Sequence, residues 1–349
     1  MESAVSGEGL ESVIKRPTVF VLGAGASAPY GFPSGPRLAR DVHRALLTGS
    51  QDAGLLGALH ETHAIDFALV NQFITDWPRA GCETLDEFVQ SNGNRRFLPL
   101  VKAAIVEQLI AAEREENLLG FEQTPWSDER ATSWRDRDWY GYLFHELRGD
   151  VDHFGSNKLT IITFNFDRSF ERRLFLSIQK SYGIDADAAG RLSGSIRVLH
   201  VHGNLGGPAW LGERRQDSRE YAPAASAEQR QFLATHAVKL IHDEIDVNVL
   251  EEAHRHLQTA EVVCFLGLGY HPTNLDRLRV TDLAQSVRGT ALGFTEAELA
   301  PVKRAFASTT VELFRDYDCR KFLRETNVLH GDPPPGAPRS VFIGGGRPQ

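Results

Sequence analysis

"VFVLGAGASAPYGFPSG", Val19 to Gly35, is the stretch whose reading decides the fold. Val19 to Leu22 form an apolar run that ends at Gly-Ala-Gly-Ala-Ser, after which the chain turns repeatedly on Gly and Pro. An apolar run with little alternation is how a strand buried on both faces of a parallel sheet reads. The glycines allow a tight turn whose backbone can approach a phosphate at a helix N-terminus. Gly23-x-Gly25-x-x-Ala28 fits the loose dinucleotide fingerprint. A hydride-transfer domain should continue through a helix to a second strand, with an acidic residue roughly 20 residues on. Pro29, Gly31, Pro33, Gly35 and Pro36 break the chain instead, and Asp41 lies in a helical pattern with no strand before it. The dehydrogenase reading therefore fails at its second element.

Outward from Pro17–Gly23, further strand-type runs lie at Lys158–Asn165, Ser195–Gly203, Glu261–Gly269 and Gly289–Phe294, with a sixth at Ser308–Phe314. Helical patterns such as "PRLARDVHRALL" and "TEAELAPVKRAFA" separate most of them. Strand–helix alternation predicts an α/β fold, a Rossmann-like doubly wound parallel sheet. Residues 52–153 read as mostly helical, a large helical insertion on the sheet, and a second helical stretch covers 226–257. The expected organisation is a flexible N-terminus over 1–16, one α/β domain over 17–330, and a Pro/Gly-rich tail over 331–349. The segment holding Trp126, Trp134 and Trp139 reads equally as a partner surface or a small core.

The 349 residues are 42% hydrophobic and carry a formal charge of −8, which argues against a broad electrostatic grip on nucleic acid. Cys82, Cys264 and Cys319 are far apart and form no CxxC pair, so neither a zinc ribbon nor a disulfide framework is supported. His254 and His256 lie two apart on a predicted helix and do not share a face as i,i+4 ligands would; no metal is expected. No export signal and no membrane-length apolar run is read, so a cytoplasmic location is expected.

Ligands of open α/β sheets bind beyond the carboxyl ends of the strands. Four such ends here are polar or glycine-rich. The first carries Gly23, Ala24, Gly25 and Ser27; the second, "TFNFD", carries Asn165 and Asp167. The third, "HVHGN", carries His200, His202, Gly203 and Asn204; the fourth, "GLGYHPTN", carries Gly267, Gly269 and Asn274. Asp167 alone reads equally as a cap for the next helix.

"GAGAS…GFP", "TFNFD", "HVHG" and "GLG" resemble, in order and spacing, the motifs of the sirtuin-like (SIR2-like) NAD-binding fold over roughly Pro17 to Phe314. "PYGFPSG" and "TLDEFVQSN" look more like the bacterial SIR2-like NAD-cleaving effectors of anti-phage defence than like protein deacylases. The deacylases' zinc ribbon has no counterpart here, Phe164 stands where they read Gln, and Ser34-Gly35-Pro36 replaces their Asp-Phe-Arg. The resemblance implies an NAD+ glycohydrolase with NAD as substrate and no metal. It implies Asn165 and His202 as the cleaving pair, with Asp167 orienting the loop or ribose. Gly23, Ala24, Gly25, Ser27, Phe32, Pro33 and Gly203 would hold the dinucleotide, with Gly267, Gly269 and Asn274 facing its adenosine half. His202 is expected to accept a proton, since its reference pKa lies near neutrality. The alternatives are a non-catalytic module that binds NAD or ADP-ribose and, third, a deacylase. Resemblance to defence systems also implies a gate: a homo-oligomer, a separate sensor such as a HerA-like ATPase, or both.

Overall fold

The computed structural model describes residues 13–48, 53–91, 93–120, 134–212, 217–221, 223–306 and 310–330. Most of the N-terminal stretch, the tail over 331–349, and Trp126 lie outside the described residues.

Six strands form one sheet: β1 (Thr18–Leu22), β2 (Leu159–Thr163), β3 (Arg197–His200), β4 (Val262–Leu266), β5 (Val287–Thr290) and β6 (Val311–Phe314). Their order is β3-β2-β1-β4-β5-β6, every neighbouring pair is parallel, and Phe20 sits between Ile161 and Cys264 in the register. This is a Rossmann-like doubly wound sheet whose strand order reverses at β1/β4. β1 and β2 are buried at every position, as their continuous apolar runs require.

Alternate side chains divide between two cores. Phe20, Leu22, Ile161 and Cys264 enter one with the helices from 35 to 147 and Ser169–Tyr182; Val19, Val21, Ile162 and Val263 enter the other with Val247–Thr259 and Glu296–Ala305. The Gly289–Phe294 expectation is corrected: β5 begins at Val287 and ends at Thr290. Beyond it, Gly293 turns with φ +85, so "LGF" belongs to the loop at the strand's carboxyl end.

Between β1 and β2 the described elements are helical. Leu98–Ala112 is buried almost all round, which explains its near-continuous apolar sequence. Glu113, just past its end, receives Arg168 through Nε and Nη2 at 3.0 and 2.9 Å and Arg219 Nη2 at 2.6 Å. Arg168 also donates to the carbonyls of Gly206 and Arg219, at 3.2 and 3.0 Å. This buried ionic knot ties the helical segment to the chain immediately after β2. Trp139 is fully buried and donates Nε1 to Ala26 O at 2.7 Å, so its place is in the core, against the first glycine turn.

Candidate active site

A cleft of about 960 Å³ lies at the carboxyl ends of the strands, where the strand order reverses. It gathers ten of the thirteen site residues expected from sequence: Gly23, Ala24, Ser27, Phe32, Pro33, Asn165, Asp167, His202, Gly269 and Asn274. Gly25, Gly203 and Gly267 do not line it. A Cβ on Gly267 would lie 2.1 Å from Ala26 N, and one on Gly25 would lie 2.9 Å from Gly267 Cα. Gly25 N–H is already spent on Gly267 O at 2.9 Å. These two glycines let the β1 and β4 turns touch backbone to backbone. A Cβ on Gly203 would lie 1.9 Å from Ala237 O, again a contact between chain segments.

Asn165 is held from every side. Its N–H donates to Thr163 Oγ1 at 3.0 Å. Its Nδ2 donates to Gly23 O at 2.9 Å and to Ser27 Oγ at 3.0 Å. Both amide hydrogens are therefore committed, and the carboxamide has only its Oδ1 acceptor to offer a ligand. Asp167 Oδ1 accepts from Ser169 N at 3.1 Å and from Ser169 Oγ, whose other partner is Tyr140 OH at 2.8 Å. Asp167 thus accepts from the first N–H of the helix Ser169–Tyr182, and the residue also lines the cleft. Burial raises its pKa against the bonds from Ser169 and Ser27.

His202 departs from expectation. Burial, then the Arg277 guanidinium, push its pKa down to about 3. Arg277 Nη1 lies 2.8 Å from His202 Nε2, and Arg277 Nη2 donates to Asp243 O at 3.0 Å. The ring is packed beside Phe164 and Phe166, with centroids 5.2 and 6.3 Å away. It is a neutral, buried imidazole rather than a base of ordinary pKa.

Asn274 stands one turn before Arg277 on the helix Pro272–Arg277. Its carboxamide lies near enough to favour a charged His202, yet Oδ1 is buried with no hydrogen-bond partner among the described residues. A buried carbonyl oxygen in a cleft wall calls for a donor, from the neighbouring His202 ring, a ligand or water. Sequence reading missed Arg277. The available signal was its i+3 spacing from Asn274 in "HPTNLDR". It also missed the acidic side of the cleft, formed by Glu83, Asp86, Glu87 and Glu298. No Lys or Arg lines the cleft among the described residues. Burial raises the Asp86 pKa even though its carboxylate accepts from Ile241 N at 3.0 Å.

His254 and His256 bond to other segments of the chain, to Arg277 O at 2.6 Å and Thr160 Oγ1 at 3.2 Å. Among the described residues no group of three His, Cys, Asp or Glu could hold a metal ion, and no helix is long and apolar enough to cross a membrane.

No protein-family model and no curated protein matches the chain. Among solved structures it is similar to a Sir2 homologue in complex with NAD, at 14% identity and a TM-score of 0.41, covering 90% of this chain and 89% of that one. It is also similar to a Sir2 in complex with an inhibitor, 2′-O-acetyl-ADP-ribose and a deacetylated peptide, at 15% identity and a TM-score of 0.33, covering 88% and 91%. At these values the likeness assigns neither residues nor chemistry.

Proposed function

We propose that this chain is an NAD+ glycohydrolase that releases nicotinamide and ADP-ribose. The observation that carries the reading is Asn165: buried at the switch point of a doubly wound sheet, with both amide hydrogens spent, it has only an acceptor left for the cleft. Such a group can hold a water or a ribose hydroxyl without itself attacking. In the reaction the ribose C1′–nitrogen bond breaks and its electron pair leaves with nicotinamide, which departs neutral. Water then forms the new C1′–oxygen bond and gives up a proton. Positive charge builds on the ribose, as in glycoside cleavage. A cleft lined by carboxylates and by no Lys or Arg among the described residues suits that charge. His202 would take the proton from water or from a ribose hydroxyl.

One observation favours the second reading, a module that binds NAD or ADP-ribose without turnover: as held here, His202 already spends Nε2 on Arg277. Purified protein incubated with NAD, alone and with a candidate activator, separates the two. Nicotinamide release that is lost in folded Asn165→Ala, with NAD affinity kept within about tenfold (~1.4 kcal/mol), supports the hydrolase. Calorimetric binding without product supports the module. An enzyme that consumes NAD has to be gated. In this reading it acts in the cytoplasm as an anti-phage effector, controlled by self-assembly, by a separate sensor such as a HerA-like ATPase, or by both.

A further inference from the structure

We propose that Arg277 is a positioning residue that sets which nitrogen of His202 is free to work: it holds the ring as the neutral Nδ1–H tautomer, and His202 can take up a proton only after Arg277 releases Nε2. This builds on the hydrolase reading, but its central claim concerns the protein without ligand.

A guanidinium has donors and no acceptor. The 2.8 Å contact from Arg277 Nη1 to His202 Nε2 therefore requires a lone pair on Nε2. A neutral imidazole has one such ring lone pair, so its proton is on Nδ1. The ring is thus left with a donor and no free acceptor. Arg277 is itself anchored, since Nη2 donates to Asp243 O at 3.0 Å in the loop before Val247–Thr259. The groups facing His202 come from separate elements. Arg277 and Asn274 lie on Pro272–Arg277, His271 immediately precedes it, Asp243 lies on the loop before Val247–Thr259, and Phe164 and Phe166 follow β2. Burial, Arg277 and His271 favour the neutral ring; Asn274 and Asp243 oppose them.

Proton uptake on Nε2 would place an N–H against the N–H of Arg277. The two donors must separate, so Arg277 Nη1 has to leave Nε2 before the ring can take up a proton there.

Nitrogen-15 NMR of the imidazoles in the ligand-free protein tests the claim without requiring catalysis. His202 is assigned by the signal lost in His202→Gln. The wild-type ring should be the neutral Nδ1–H form and should not titrate between pH 5 and 8. Arg277→Met should free Nε2 and displace the pKa upward, with burial still holding it below the ordinary histidine range, and Arg277→Lys should restore the wild-type tautomer. A wild-type His202 that is Nε2–H, or protonated near neutrality, would overturn the proposal even if Arg277→Met failed to fold. An unchanged ring in folded Arg277→Met would overturn it as well. Where NAD is cleaved, the pH profile of kcat/KM should gain an acid limb in Arg277→Met that the wild type lacks. If the tautomer is as stated and no NAD is cleaved, the hydrolase reading fails and the Arg277–His202 assignment stands.

Discussion

His200 and His202 stand two residues apart at one strand end and are tuned in opposite directions. His200 meets two acceptors: Asn165 O lies 2.9 Å from Nδ1, and Glu171 Oε1 lies 2.7 Å from Nε2. Two acceptors call for two N–H groups, so this ring is an imidazolium. Burial pulls its pKa down, but Glu171, by charge and hydrogen bond, outweighs burial and the net shift is upward. His202 meets a guanidinium at Nε2 instead, and burial and charge act together to keep it neutral. The lesson is that burial alone does not fix a histidine's charge; the donor or acceptor character of its partners does. The pair also divides labour. His200 holds the backbone carbonyl of Asn165 from behind, whereas the His202 ring lines the cleft.

The largest effect should separate the two rings by function. Folded His202→Ala is expected to lose NAD cleavage by about 10²–10⁴-fold, the usual worth of a positioned proton-transfer group, with NAD binding kept within about tenfold. His200→Gln should cost stability and reduce turnover by less than about tenfold, because it acts on Asn165 through one carbonyl. Nicotinamide release and urea midpoints measured on both variants decide. Full cleavage by folded His202→Ala would return that ring to a structural role and leave the two histidines with no functional difference.

A second difference lies in the pH dependence of stability. His202 has a folded pKa of about 3 against 6.5 unfolded, so its contribution is present above 6.5 and lost as pH falls toward 3, ~5 kcal/mol in all as an upper order of magnitude. His200 has a raised folded pKa, so its contribution is fully present below 6.5 and lost as pH rises through the folded value. Urea midpoints across pH 4 to 8 should therefore fall less steeply toward acid in His202→Gln than in the wild type. In His200→Gln the decline toward alkaline pH should flatten instead. Three parallel profiles would show that the two rings do not differ as described.

The strands were legible because their apolar runs are continuous, and β1, β2 and β4 fall within the stretches read from sequence. β5 was misplaced because "VRGT" carries Arg288, which pairs with Glu312 at the sheet edge, whereas the more apolar "ALGF" is largely loop. The polar strand ends could be read as one edge because parallel strands bring all carboxyl ends together. Partnership could not be read in the same way. Arg277 is 75 residues from His202, and Glu171 is 29 from His200. Nothing local in "HVHG" distinguishes a ring facing a carboxylate from one facing a guanidinium. The glycines could not be sorted for a related reason: "GAG" and "GLG" look alike whether a glycine lines the cleft, as Gly23 and Gly269 do, or meets another turn, as Gly25 and Gly267 do.

That last ambiguity gives the smallest predicted effect. Gly267 and Gly269 lie two apart in one turn, yet only Gly267 is confined. Its φ is +61, and a Cβ there would lie within 2.4 Å of both Ala26 N and Gly25 C. Neither backbone atom can move without opening the contact between the β1 and β4 turns, so a side chain at 267 strains both turns. Gly269 has no atom within 4 Å of an added Cβ, is not in the left-handed region, and lines the cleft. Gly269→Ala should therefore change stability by no more than about 0.5 kcal/mol. The new methyl can be felt only by whatever enters the cleft, so NAD affinity should fall by less than about tenfold with the urea midpoint unchanged. Calorimetry and denaturation on this one variant are sufficient. A stability loss in Gly269→Ala as large as that of Gly267→Ala would mean that both glycines serve turn-to-turn packing, and would remove Gly269 from the ligand-facing wall.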